Sequence, residues 1–163
     1  MSTVADTAHE QIPDEDKVSR AYFALPPGID PASGFVFPYD KKIKDRAESV
    51  YWRKYAINSQ DVHDRACKIE KTKNARLASA SRSLLQYTGF RTADVRAIRG
   101  VRSGRGHQLD VVHWPEDGDL AHAHICIKPG GSLSLKKLKT NDVQELVDLL
   151  HWLFVDFTSH RCF

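Results

Sequence analysis

Two hydrophobic periods divide this chain. Between residues 107 and 128 apolar positions recur every second residue, the repeat of extended backbone. Residues 107–114 are rich in β-branched and aromatic side chains, and residues 115–119 carry an Asp-Gly step suited to positive φ. In residues 120–128, Ala121, Ala123, Ile125 and Ile127 point one way, while His122, His124 and Cys126 point the other. The pattern predicts a β-hairpin with one apolar face and one histidine-bearing face.

Upstream the period lengthens to that of a helix. Ile43, Ala47, Val50, Tyr51 and Lys54 share one face, predicting a helix over residues 41–56. A second stripe, Val62, Ala66, Ile69, Leu77, Ala80, Leu84 and Tyr87, predicts another, with Ser59 as N-cap and Gly89 as its stop. Lys73 interrupts the stripe, so this helix either breaks near residues 72–74 or runs on partly exposed. Residues 94–102 fit a strand, with Val95, Ala97 and Val101 on one face. The competing reading makes Thr88-Gly89-Phe90 the turn of a helix-turn-helix. The strand is preferred because residues 103–106 then close it onto 109–114, giving a three-stranded antiparallel meander. Residues 132–135 are a fourth strand or the entry to the last helix. That helix runs from a cap at Asn141, with Gln144 in the capping-box position, to about Phe157. Its apolar residues cover more than one stripe, which predicts burial on several sides and leaves some of Leu149, Trp152, Phe154 and Val155 for a second copy in a homodimer.

The expected fold is therefore α+β: N-terminal helices, a three- or four-stranded antiparallel meander, and a C-terminal apolar helix packed on the sheet. Residues 1–40 contain five prolines and little periodicity, and read as an acidic extended arm ahead of a single domain over 41–163. The aromatic residues between 21 and 39 predict that the arm lies along the body or along a protein partner.

Composition adds three things. First, no run of about 18 apolar residues is present, so no membrane span is expected. Second, Cys67, Cys126 and Cys162 are odd in number and widely spaced, and residues 1–11 lack a signal-peptide pattern; both fit reduced thiols in the cytoplasm. Third, the formal charge of +3 hides a division. Residues 1–40 carry 2 basic and 7 acidic side chains, 41–105 carry 17 and 6, and 106–163 carry 5 and 8. A basic middle between acidic ends suits a polyanion.

Three constellations carry candidate chemistry. Arg91, Arg96, Arg99, Arg102 and Arg105 run into a glycine-rich loop, and arginine's planar fork binds phosphate bidentately. Lys136, Lys137 and Lys139 precede the capped helix, whose N-terminus favours anions, although no P-loop pattern is present. His122, His124 and Cys126, with His113 on the neighbouring strand, offer metal-ligand atoms, but neither a carboxylate nor a C-x-x-C spacing accompanies them, so no metal or other cofactor is assigned. No nucleophile–base pair or carboxylate dyad is placed by spacing, so no reaction is assigned either.

The order helix, three strands, helix over residues 60–157, with lysines opening the last helix, resembles double-stranded-RNA-binding domains. Lys128-Pro129-Gly130, leading from a strand meander toward a helix, resembles the single-strand-binding transcription-cofactor fold. Both resemblances imply nucleic-acid binding. The expected function is contact with a phosphate backbone through basic helices and the arginine hairpin. The alternatives are a protein-interaction module using the arm and last helix, or a metal-binding protein at the histidine strand.

Overall fold

The computed structural model describes residues 10–24, 39–40, 45–79, 86–104, 106–116, 118–128 and 140–162. Its elements are β1 (Lys17–Ala24), β2 (Tyr39–Asp40), β3 (Asp45–Trp52), α1 (Ser59–Ser79), β4 (Gln86–Asp94), α2 (Val95–Arg99), β5 (Gln108–His113), β6 (His122–Lys128), α3 (Thr140–His151) and β7 (Val155–Ser159). Six strands make an antiparallel sheet in the order β5-β6-β3-β1-β4-β7, and β2 pairs with the start of β3. The fold is α+β, as expected, and no described helix is long and apolar enough to cross a membrane.

The expected hairpin is present, in register from Gln108↔Lys128 to His113↔Ala123. The rest of the meander is not. The second neighbour of β6 is β3, paired from Ala47↔Cys126 to Tyr51↔His122, while β5, expected to pair with a strand over residues 94–102, is the sheet edge among the described residues. The helix expected over 41–56 is thus corrected to strand β3 across residues 45–52. Val50, Tyr51 and Trp52 are buried in succession, which a strand covered on both faces achieves and a single helical stripe does not. The same logic applies to β1, taken from the stretch read as an arm: Val18, Ser19, Ala21 and Tyr22 are all buried, because β1 lies inside the sheet between β3 and β4.

Around residue 90 the strand comes earlier than expected. β4 ends at Asp94, and Val95 and Ile98 then bury one face of the short helix α2. Thr88-Gly89-Phe90 is mid-strand, so neither the helix stop nor the helix-turn-helix reading holds. Gly89 serves another purpose. At φ +146° a Cβ would lie 2.3 Å from the Thr158 carbonyl oxygen, so glycine lets β7 approach. The loop after α2 does turn as expected, with Ser103 N–H donating to His107 O and Gly106 N–H to Ser103 O.

α1 runs unbroken past Lys73 to Ser79, the second of the two outcomes allowed by its stripe. Its cap is Asn58 rather than Ser59: Asn58 Oδ1 accepts the Asp61 N–H at 2.9 Å, and Asp61 Oδ2 accepts the Ile57 N–H in return. The last helix stops at His151, not Phe157. The Leu153 N–H turns back to Leu150 O, and Val155 begins edge strand β7 against β4. The fourth strand at 132–135 lies outside the described residues.

Helices cover both faces of the sheet. On one face Val18, Val50, Trp52, Leu109, Val111, Ile125 and Ile127 pack with Val95 and Ile98 of α2, with Leu146 and Leu150 of α3, and with Phe154. On the other, Ala21, Tyr51, Tyr87 and Phe90 pack against Val62 and Ala66 of α1. β4 is separated from β6 by β3 and β1, so the contiguous meander implied by the RNA-binding resemblance is absent.

Candidate functional site

The histidine strand holds together only in part. Alternation on β6 places His122 and His124 on one face, their ring centroids 4.8 Å apart at 76°. His113 belongs to the other face. There its Nδ1 accepts the Glu10 N–H at 3.0 Å, so Nε2 carries the proton and donates to Leu120 O at 2.7 Å. Its ring packs on Trp52 and Tyr55, a core role. Cys126 keeps a buried thiol. The residue missed from the sequence is Glu116, in the loop between β5 and β6. Its Oε2 lies 3.4 Å from His122 Nδ1, and Glu116, His122 and His124 each bring one possible ligand atom within 4.8 Å of the others. Spacing could not reveal it, because the turn that folds Glu116 back on β6 is set by Gly118 (φ +79°) and by the Asp119 N–H bond to Glu116 O.

The arginine series divides by role. Arg99 is internal: Nε donates to Asp110 Oδ1 (2.8 Å), Nη1 to Asp14 Oδ1 and Ile12 O (2.7 Å each), and Nη2 to Val111 O (2.9 Å). Burial disfavours its charge, but the bonds to Asp110 and Asp14 prevail and raise its pKa. Arg91 lies 5.1 Å over the Phe157 ring. Arg102 is exposed and turned back onto the carbonyls of Arg99 and Val101, closing the end of α2. Arg96 is exposed on α2. Arg105 and the turn of Lys136, Lys137 and Lys139 lie outside the described residues.

A different basic surface stands out on α1. Two of its acids serve the fold, Asp61 in the helix cap and Glu70 accepting the Tyr87 N–H at 2.7 Å, while exposed Asp64 accepts Gln60 Nε2 of the same helix at 2.7 Å. Arg65 is likewise used, holding both oxygens of Asp119. Lys68, Lys71, Lys73 and Arg76 are all exposed and make no ion pair among the described residues. Lys71, Thr72, Lys73, Ala75 and Arg76 are all exposed and span about half the helix circumference, so this stretch of α1 turns a broad basic face to solvent. The interrupted stripe at Lys73 was its signal in the sequence.

The middle of the same helix is tied to the segment after β7. Cys67 and Cys162 form a disulfide, correcting the reduced-thiol expectation for both. Their spacing of 95 residues carried no signal; β7 brings them together. Beside the bond, His63 stacks on His160 at 4.0 Å, and His63 Nδ1 is hydrogen-bonded to the Tyr87 hydroxyl at 2.9 Å. Burial lowers the His63 pKa, with His160 adding to the effect and Asp64 opposing it. Comparison with protein-family models, with curated proteins and with solved structures finds no match to this chain.

Proposed function

We propose that this protein binds nucleic acid through its phosphate backbone, using the exposed basic face of α1. The supporting observation is the imbalance on that helix: two of its acids serve the fold, while Lys68, Lys71, Lys73 and Arg76 remain exposed. Cations spread over an exposed helix face can reach several phosphates, and such contacts position without reading sequence. Arg91 and Arg96 lie toward the α2–α3 side of the sheet and α1 on the opposite side, so the basic block forms two surfaces. The α1 surface is the primary one because Arg99 and Arg102 are largely taken up by internal bonds.

Two charge-reversal variants test this against a labelled duplex, read by fluorescence anisotropy. Lys71→Glu with Lys73→Glu and Arg76→Glu should weaken binding by about a hundredfold or more at low salt, given the near-one-counterion weight of each phosphate contact. Arg96→Glu with Arg102→Glu should change it far less. Equal affinity in wild type and the α1 variant sinks the proposal.

Self-association is a second reading, carried by a specific patch. Leu149, Trp152, Val155 and Phe157 are exposed, Trp152 by 79%, beside an edge strand that is unpaired on its outer side among the described residues. Phe154, one of the residues considered for this role, is buried. Two antiparallel copies of β7 would form a twofold interface that covers the patch. Sedimentation at micromolar concentration should give twice the 18.4 kDa chain mass, and Trp152→Glu should return it to one. A wild-type monomer rejects the dimer. The cytoplasmic placement loses its thiol argument, since a Cys67–Cys162 bond suits an oxidising compartment.

A further inference from the structure

We propose that Glu116, His122 and His124 form an open binding site for a divalent transition-metal ion of the zinc type. Two imidazoles and one carboxylate, each with a ligand atom within 4.8 Å of the others, form the three-ligand set of open zinc sites. The set has too few oxygens for calcium and too much nitrogen for magnesium.

The three residues are held in place by contacts that need no ion. On the loop side, Asp119 donates its N–H to Glu116 O at 2.9 Å. The Asp119 carboxylate is clamped by Arg65 Nε from α1 at 3.0 and 3.1 Å and accepts the Ala121 N–H at 2.9 Å. On the strand side, His122 and His124 are fixed two residues apart by pairing with β3 and β5. The His122 ring is further located by Ser49 Oγ at 3.1 Å from Nε2 and by Trp114 O at 2.7 Å from Nδ1.

These contacts also provide the outer shell of a metal site. For Nδ1 of His122 to hold an ion beside Glu116, its bond to the Trp114 carbonyl would have to open and the ring proton would have to move to Nε2. Nε2–H then donates to Ser49 Oγ and sets the tautomer. Glu116 is exposed, His122 half-buried and His124 buried, so the set opens to solvent at the carboxylate and closes inward. That leaves an entry path and a position for water or a ligand.

Tag-free, full-length protein stripped with a chelator would be titrated calorimetrically with zinc chloride, and separately with cobalt(II) while its visible absorption is recorded. One ion per chain is expected, with cobalt bands of low coordination number and no competition from millimolar magnesium. Glu116→Gln, an exposed change with little bearing on folding, should weaken zinc by about tenfold or more, the scale on which even outer-shell partners act. His122→Ala should remove the cobalt bands, while His151→Ala on α3 should leave both readouts unchanged. Absence of binding by wild type overturns the site. So does zinc binding that Glu116→Gln and His122→Ala leave unaltered.

Discussion

Arg99 shows how one side chain is withdrawn from function by the fold. Its five-donor fork meets Asp110, Asp14 and two carbonyls while only 19% exposed, and Asp110 is 16% exposed. It joins the segment before β1, the end of α2 and β5, three parts of the chain that also meet in the core through Ile12, Ile98 and Leu109. Removing one member of such a pair leaves the other charge buried. Arg99→Met should therefore cost about 3–5 kcal/mol in urea denaturation. The exposed pair Lys17–Asp94 should cost under about 1 kcal/mol when Lys17 is replaced by Met. Equal costs would mean that Arg99 is no more than another surface cation. In the sequence Arg99 was one of five similar arginines; the difference lies in Asp14 and Asp110, which only the folded topology brings to it.

At the scale of elements, the hairpin of β5 and β6 was legible because its alternation is strict and its turn residues are specific. β1 and β3 were not. A strand buried on both faces loses the period-two signature, and Ile43, Ala47, Val50 and Tyr51 fit a helical stripe equally well. The last helix was read too long because its apolar run continues into β7, where only backbone pairing marks the change. The candidate metal cluster was half visible: the two histidines followed from the strand period, while Glu116 depended on a turn. The contact of α1 with the segment after β7 is also where pH should act. The fold favours neutral His63, whose pKa burial and His160 lower from the ordinary 6.5. This contribution is present above pH 6.5 and is lost as pH falls through the lowered folded value. The urea midpoint should hold steady from about pH 8 to 7 and decline below the ordinary histidine pKa. His63→Phe should flatten that decline, and an unchanged pH profile in the variant would remove His63 as its source.

For the whole molecule, a six-stranded sheet covered on both faces leaves few surfaces uncommitted. The apolar patch around Trp152 and the cationic face of α1 are two of them, and they differ in chemistry. The disulfide joins the middle of α1 to the segment after β7, so the helix that carries the cations is braced next to its basic face. A braced, exposed cationic helix face should bind a polyanion with an affinity governed by counterion release. The most direct measurement is duplex-DNA affinity across a salt series, plotted as log K against log salt. Engagement of Lys68, Lys71, Lys73 and Arg76 predicts a slope of about −3 to −4, falling by about 1 for each cation neutralised. A slope near zero, or one unchanged when these four are replaced by Gln, would contradict phosphate binding by α1.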